Sequence, residues 1–197
     1  APGLMTQPDR AYTFVYRALL TEEALDRAGR QSSSHSDIDH QKIAELLSLD
    51  AMDEEYVENA RAMGTVYTAI AAFENSVRDL VAGTLLENVG EGWWQGCVSE
   101  KIRKQADLRQ TEEEKVRWHT QRGEDPIQYT TLPNLLNIIR NNFEHFEPFL
   151  HDIDWAASIF DTVERSRNVI MHSGTLGQRD IARVGALIRD WTSQVAA

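Results

Sequence analysis

Apolar residues recur at three- and four-residue steps along most of this chain, and no stretch alternates convincingly between apolar and polar. The longest such run is Met63, Tyr67, Ile70, Phe73, Val77, Leu80, Val81 and Leu85, which predicts a helix over 53–88 with one core-facing stripe. Ahead of it, Tyr12, Val15, Tyr16, Leu19 and Leu20 predict a helix over 10–27. A polar, Ser-rich loop at 31–36 follows, then a short helix through Ile43, Leu46, Leu47 and Leu49, capped by Asp37 or Asp39. Gly90 to Gly96 is a break. Beyond it, 98–122 is expected to be a charged helix with a narrow apolar seam of Ile102, Leu108, Val116 and Trp118. Gly123 to Pro126 is a loop. Pro133 suits the first turn of a helix carrying Leu135, Leu136, Ile138, Ile139, Phe143 and Phe146, which Pro148 ends or kinks. Two helices close the chain. One, uninterrupted by Gly or Pro from 156 to 173, buries Ile159, Phe160, Val163 and Ile170 and stops at Gly174. The other, 180–195, turns Ile181, Val184, Ile188 and Trp191 inward. The expected fold class is all-α, a helical bundle of about six helices. It forms one domain over 1–197, with N-terminal helices in 5–54 and the main bundle in 55–197. Ala1 to Leu4 read as an expression remnant ahead of a native start at Met5.

Composition changes this picture in three respects. With 42% hydrophobic and 26% charged residues the chain has the means for an ordinary core, and no apolar run is long enough for a bilayer span, so no membrane partner is expected. The single Cys97 rules out an internal disulfide and fits a reducing cytoplasm. Net charge is −11, which opposes unselective binding to RNA phosphates. Yet Arg outnumbers Lys 16 to 4, and Arg is the better bidentate phosphate ligand. A selective substrate, or a partner that delivers it, is the natural expectation.

Candidate chemistry concentrates in residues 161–174. Glu164, Asn168 and His172 fall at i, i+4 and i+8 and so line one strip, with Arg165 and Arg167 flanking it. By itself this pattern also fits a helix-end His favoured by the dipole and an Arg in a surface ion pair. Glu74 sits on the edge of the long apolar stripe with Arg78 one turn on. Two readings stand for it: a surface pair worth a few tenths of a kcal/mol, or a partly buried acid holding an Arg of the late helix. Lys101, Arg103 and Lys104 are the best local candidates for RNA-backbone contact. Trp93, Trp94 and Trp118 are expected to be mainly structural, although exposed indoles can stack on bases. His35 and His40 near Asp37 and Asp39 lack clear ligand spacing and are taken as a solvated loop; no metal or cofactor is expected.

The spacing Arg167-Asn168-x-x-x-His172 resembles the signature of the HEPN superfamily (higher eukaryotes and prokaryotes nucleotide-binding domains), an Arg and a His separated by four to six residues, often with Asn after the Arg. Further landmarks resemble one branch, found at the C-terminus of a eukaryotic transcript-surveillance endonuclease and as stand-alone bacterial proteins. They are Phe73 to Leu80, Gly92-Trp93-Trp94, Arg117-Trp118, Tyr129-Thr130-Thr131, Leu135 to Ile139, Asn142-Phe143 and Arg189-Asp190-Trp191, so the resemblance spans about Tyr12 to Trp191. It implies an all-helical homodimer and a metal-independent endoribonuclease with a composite site across the two-fold axis. Arg167, His172 and Asn168 would be the catalytic set, with Glu74, Arg165 and Glu164 in support.

The chemistry suits those residue types. RNA carries its own nucleophile, the 2′-hydroxyl, so transesterification needs proton transfer at two oxygens and positive charge on the phosphate. Imidazole titrates near neutrality, and guanidinium binds two phosphate oxygens. Asn168 is a donor to phosphate or a support for His172. Products would be a 2′,3′-cyclic phosphate and a 5′-hydroxyl. The partners implied are RNA, a second copy, and a regulatory protein or antitoxin; phage defence, a toxin pair and RNA decay all remain open as settings. Val169, Ile170 and Met171 would belong to the core or the dimer contact. The alternatives are a non-catalytic HEPN module for dimerisation and RNA or nucleotide binding, and a helical scaffold that binds only protein.

Overall fold

A computed structural model describes residues 40–195. The expected helix at 10–27, the Ser-rich loop, His35 and the caps Asp37 and Asp39 lie outside the described residues. The chain divides into two units, 1–53 and 54–197. Within the first, α1 (His40–Leu46) and a 3-10 turn (Leu49–Ala51) bury no residue of their own, and Leu46 and Leu47 are exposed.

The second unit is all-helical among the described residues. It comprises α2 (Glu54–Val89), α3 (Trp93–Cys97), α4 (Glu100–Glu114), α5 (Leu132–Asn141), α6 (Phe143–Phe146), α7 (Ile153–Met171) and α8 (Gln178–Val195), with a 3-10 turn at Pro126–Tyr129. The long helix α2 buries Met63, Ile70, Phe73, Val77, Val81 and Leu85 of the predicted stripe and Thr84 beside them, whereas Tyr67, expected to face the core, is exposed and Leu80 is half-buried. It packs against α5, α7 and α8, which also pack on one another as α5 on α7 and α7 on α8. Trp191 of α8 lies at their centre. Its ring meets Phe73 of α2 and Phe160 of α7 at centroid distances of 5.7 and 5.2 Å and stacks on Trp155 at 6.1 Å. Leu135, Ile138 and Ile139 complete the core from α5.

Turn chemistry sets the ends of these helices. Thr131 precedes α5 with its backbone N–H donating to Asn134 Oδ1 at 3.1 Å, and Pro133 occupies the first turn, where a missing N–H costs nothing. Asn142, buried at the other end, donates from Nδ2 to the carbonyls of Ile138 (2.7 Å) and Cys97 (3.0 Å), and so ties α5 to the end of α3. Its backbone leaves helical geometry and divides the expected 133–146 helix into α5 and α6. Trp93 and Trp94 are buried edge to face, 5.5 Å apart, closing the bundle at the turn after α2.

Sequence expectations are also corrected at two further places, α4 and the end of α7. The 98–122 helix ends at Glu114, because Glu112, Glu113 and Glu114 put three negative charges at the negative end of the helix dipole, with no base in the last turn. Its apolar seam fails as well: Ile102 is buried, but Leu108 and Val116 are exposed and Trp118 is 86% exposed, so Trp118 is not a core residue.

The other correction concerns the stop after α7. The left-handed residue is Ser173 (φ 60°), not Gly174. Ser173 N–H donates to Ile170 O at 3.0 Å and Gly174 N–H to Val169 O at 2.8 Å, the paired bonds of a Schellman cap. Gly174 is needed for a different reason: a Cβ there would sit 2.7 Å from Val169 Cγ1 and 2.8 Å from Val169 O. Substitutions at the two positions should therefore act in opposite directions. Gly174→Ala is expected to destabilise by about 2 kcal/mol through loss of the cap bond, and Ser173→Gly to stabilise by about 1 kcal/mol by relieving positive φ. Thermal melts of the pair check both signs.

Candidate functional site

The site is built around Glu74, on the flank of α2 just off its buried stripe. Its carboxylate is 12% exposed and joins two guanidinium groups. Oε2 lies 3.4 Å from Arg78 Nη2 one turn along α2, and Oε1 lies 3.2 Å from Arg167 Nε on α7. Glu74 is thus the partly buried acid that holds an Arg of the late helix; its i, i+4 pair with Arg78 is present too, but as a nearly buried contact and not as the surface pair of the other reading. Arg78 is further fixed by donating to Thr130 O at 3.1 Å and to Asn75 Oδ1 at 2.9 Å, which joins α2 to the segment leading into α5. A cleft of about 790 Å³ opens over this cluster, lined by Tyr67, Asn75, Arg78, Arg122, Asp125 and Arg167 among others.

The predicted residues divide between this cleft and the end of α7. Arg167, 35% exposed, faces the cleft. Glu164 is half-buried near it: burial raises its carboxyl above the usual range, Arg167 opposes that rise, and Asp161 and Glu74 add to it. Asn168 and His172 are exposed and lie outside the cleft wall. Geometry requires this separation, since five helical residues advance about 140° round the axis. His172 is the C-cap of α7, with its backbone N–H on Asn168 O at 3.2 Å. Arg165, nearly on the face of His172, forms an exposed ion pair with Asp161 at 2.9 Å. Lys101, Arg103 and Lys104 do not line the cleft. Lys104 pairs with Glu100 at 2.6 Å in solvent, Lys101 is exposed, and Arg103 is half-buried.

The structure adds residues that sequence reasoning passed over. Arg122 closes the cleft opposite α2, held by Glu113 at 2.6 Å and lying over the Tyr129 ring at 5.7 Å. Arg109 donates to Tyr129 O at 2.6 Å, and Tyr129 donates through its hydroxyl to Gly123 O at 2.9 Å, so the 3-10 turn is fixed on α4. Beside the cleft lies a more apolar one of about 830 Å³, lined by Tyr56, Met63, Tyr67, Ile170, Met171 and Gly174 among others. Tyr67 belongs to both walls. The available signal for Arg122 was its place in an acid-free run, 115–122; nothing local marks Tyr67, which resembles any other member of the α2 stripe.

Glu164 gives a pH test of this geometry. A carboxyl raised in the folded state contributes stability below its unfolded value, and that contribution is lost as pH rises through the folded value. Glu164→Gln, which cannot ionise, is expected to be more stable than the parent at neutral pH, with the difference shrinking as pH falls to about 4. Urea denaturation at both pH values checks the sign.

Comparison with family models, with curated proteins and with solved structures finds no match for this chain.

Proposed function

We propose that this chain is a HEPN-type, metal-independent endoribonuclease that cleaves RNA by attack of the 2′-hydroxyl at a site completed by a second copy. The observation that carries this reading is Arg167, anchored through Nε on the nearly buried Glu74 at the wall of an open cleft, one and a half turns before the exposed His172 on the same helix. Engagement through Nε leaves the outer edge of the fork as the part that takes two phosphate oxygens. Arg167 and His172 of one chain point to different sides of α7, so a shared phosphate calls for the His of one copy and the Arg of the other. The apolar cleft supports such pairing. Met171 lines it, Val169 and Met171 are exposed beside His172, and Tyr67 connects it to the Arg167 cleft. An isologous contact on this surface brings two copies of α7 together at their C-terminal ends.

A second reading draws on the same separation: His172 outside the cleft also suits a non-catalytic HEPN module that binds RNA or nucleotide through Arg78, Arg122 and Arg167. RNA digestion with the parent, His172→Ala and Arg167→Ala proteins, run alongside light scattering, separates the two. Dependence of cleavage on both residues in a dimer supports the nuclease, and indifference to His172 supports the binding module.

A further inference from the structure

Trp118 is 86% exposed, more than any other large apolar side chain among the described residues, so the fold gains little from it. It stands in 115–122, Lys-Val-Arg-Trp-His-Thr-Gln-Arg, eight residues without an acid in a chain of net charge −11. His119 presents its ring edge to face with the indole, centroids 5.7 Å apart. Beside it lies a cleft of about 570 Å³ lined by Arg109, Glu113, Val116, His119 and Arg122 among others. Arg122 lines this cleft and the Arg167 cleft alike, so the loop and the candidate site share a wall. Its ion pair with Glu113 and its place over Tyr129 fix it at that junction.

From this placement we infer that Trp118 is a stacking platform for an unpaired base of single-stranded RNA, whose backbone runs past Arg122 towards Arg167. An exposed indole accepts the face of any base, and Arg117 and Arg122 supply the phosphate contacts that such platforms need. A duplex keeps its bases stacked on one another and offers no free face, so the surface selects unpaired strands. Glu112 and Glu113 line the same cleft as Arg122, and Glu113 pairs with it, so the positive potential there is partly neutralised and unselective binding stays weak. The inference rests on the nuclease reading for its direction, towards Arg167, but its test does not require cleavage.

In the full-length His172→Ala background, fluorescence anisotropy with a labelled single-stranded oligoribonucleotide and with a hairpin lacking unpaired flanks measures the platform directly. Trp118→Ala is expected to weaken single-strand binding roughly tenfold, Trp118→Phe to retain most of it, and the hairpin to bind weakly and equally to all three proteins. Melting temperatures should be unchanged, because the side chain is outside the core. Equal single-strand affinity for Trp118→Ala and its parent overturns the inference. So does loss of a self-association or protein contact in Trp118→Ala without any change in RNA affinity. Should Trp118 matter for binding while His172→Ala cuts RNA as fast as the parent, the platform stands and the nuclease reading falls. Should cleavage need His172 while Trp118 is indifferent, the reverse holds.

Discussion

His172→Ala is expected to lower RNA cleavage by about 10²- to 10⁴-fold, the range for loss of a proton-transfer group, and Arg167→Ala by about 10²- to 10³-fold, the range for loss of a donor to developing charge, both with fold and dimer intact. The fold should tolerate both changes. His172 is an exposed C-cap whose backbone, not its ring, makes the helix-end bond, and removal of Arg167 leaves Glu74 paired with Arg78. If the two act on one phosphate, the double variant should be little worse than either single one, because groups serving one transition state are not additive. Activity should survive EDTA. Arg167→Lys should not restore it, since an ammonium cannot both pair with Glu74 and grip two oxygens. Arg165 is the rival guanidinium, nearly on the face of His172, and its pair with Asp161 is fully in solvent. Loss of cleavage in Arg165→Ala with Arg167→Ala active would move the phosphate contact to Arg165 and keep the enzyme class. A monomer by light scattering at moderate salt would remove the composite site.

Periodicity made the helices legible because a buried stripe repeats wherever a helix meets a core. The long helix was located to within one residue at each end, from 53–88 expected to Glu54–Val89 found, and six of the eight predicted stripe positions are buried, Tyr67 and Leu80 being the exceptions. Legibility failed where an end or an exposure depends on what lies across space. Charge placed at a helix terminus stopped α4 before Val116, and a seam of four apolar residues carried no sign that only Ile102 would find a partner. The stop of α7 was legible as a Gly, but not its cause: Ser173 takes the left-handed conformation, and Gly174 is there to clear Val169. For the site, the i, i+4 pairing of Glu74 with Arg78 is local and was open to sequence reasoning. Its contact with Arg167 joins residues 93 positions apart, so local spacing left it as one of two readings and could not choose between them. Arg122 and Tyr67 join separate walls, a property of three-dimensional placement that no local spacing encodes.

Glu74→Ala is expected to be costly in both stability and activity, and its comparison with Glu74→Gln separates the two. The carboxylate holds two guanidinium groups in a nearly buried position, so its removal leaves Arg78, 15% exposed, desolvated beside Arg167 with no countercharge. Breaking such an arrangement costs about 2 to 3 kcal/mol, since the charge left behind has lost water and its ion pair and keeps only the neutral acceptors Thr130 O and Asn75 Oδ1. Glu74→Gln keeps an acceptor oxygen for one Arg and should recover part of the stability. Orientation of Arg167 is a different matter. With the anchor on Nε weakened, the fork turns more freely, and the loss should fall on kcat more than on KM if the oriented guanidinium matters chiefly as charge builds on the phosphate. Denaturation curves and steady-state kinetics on the three proteins test this. Should Glu74→Gln restore stability and leave cleavage about as low as Glu74→Ala, Glu74 is a positioning residue that acts through Arg167. Should cleavage simply track the folded fraction, Glu74 is a structural strut between α2 and α7, and Arg167 reaches the phosphate without it.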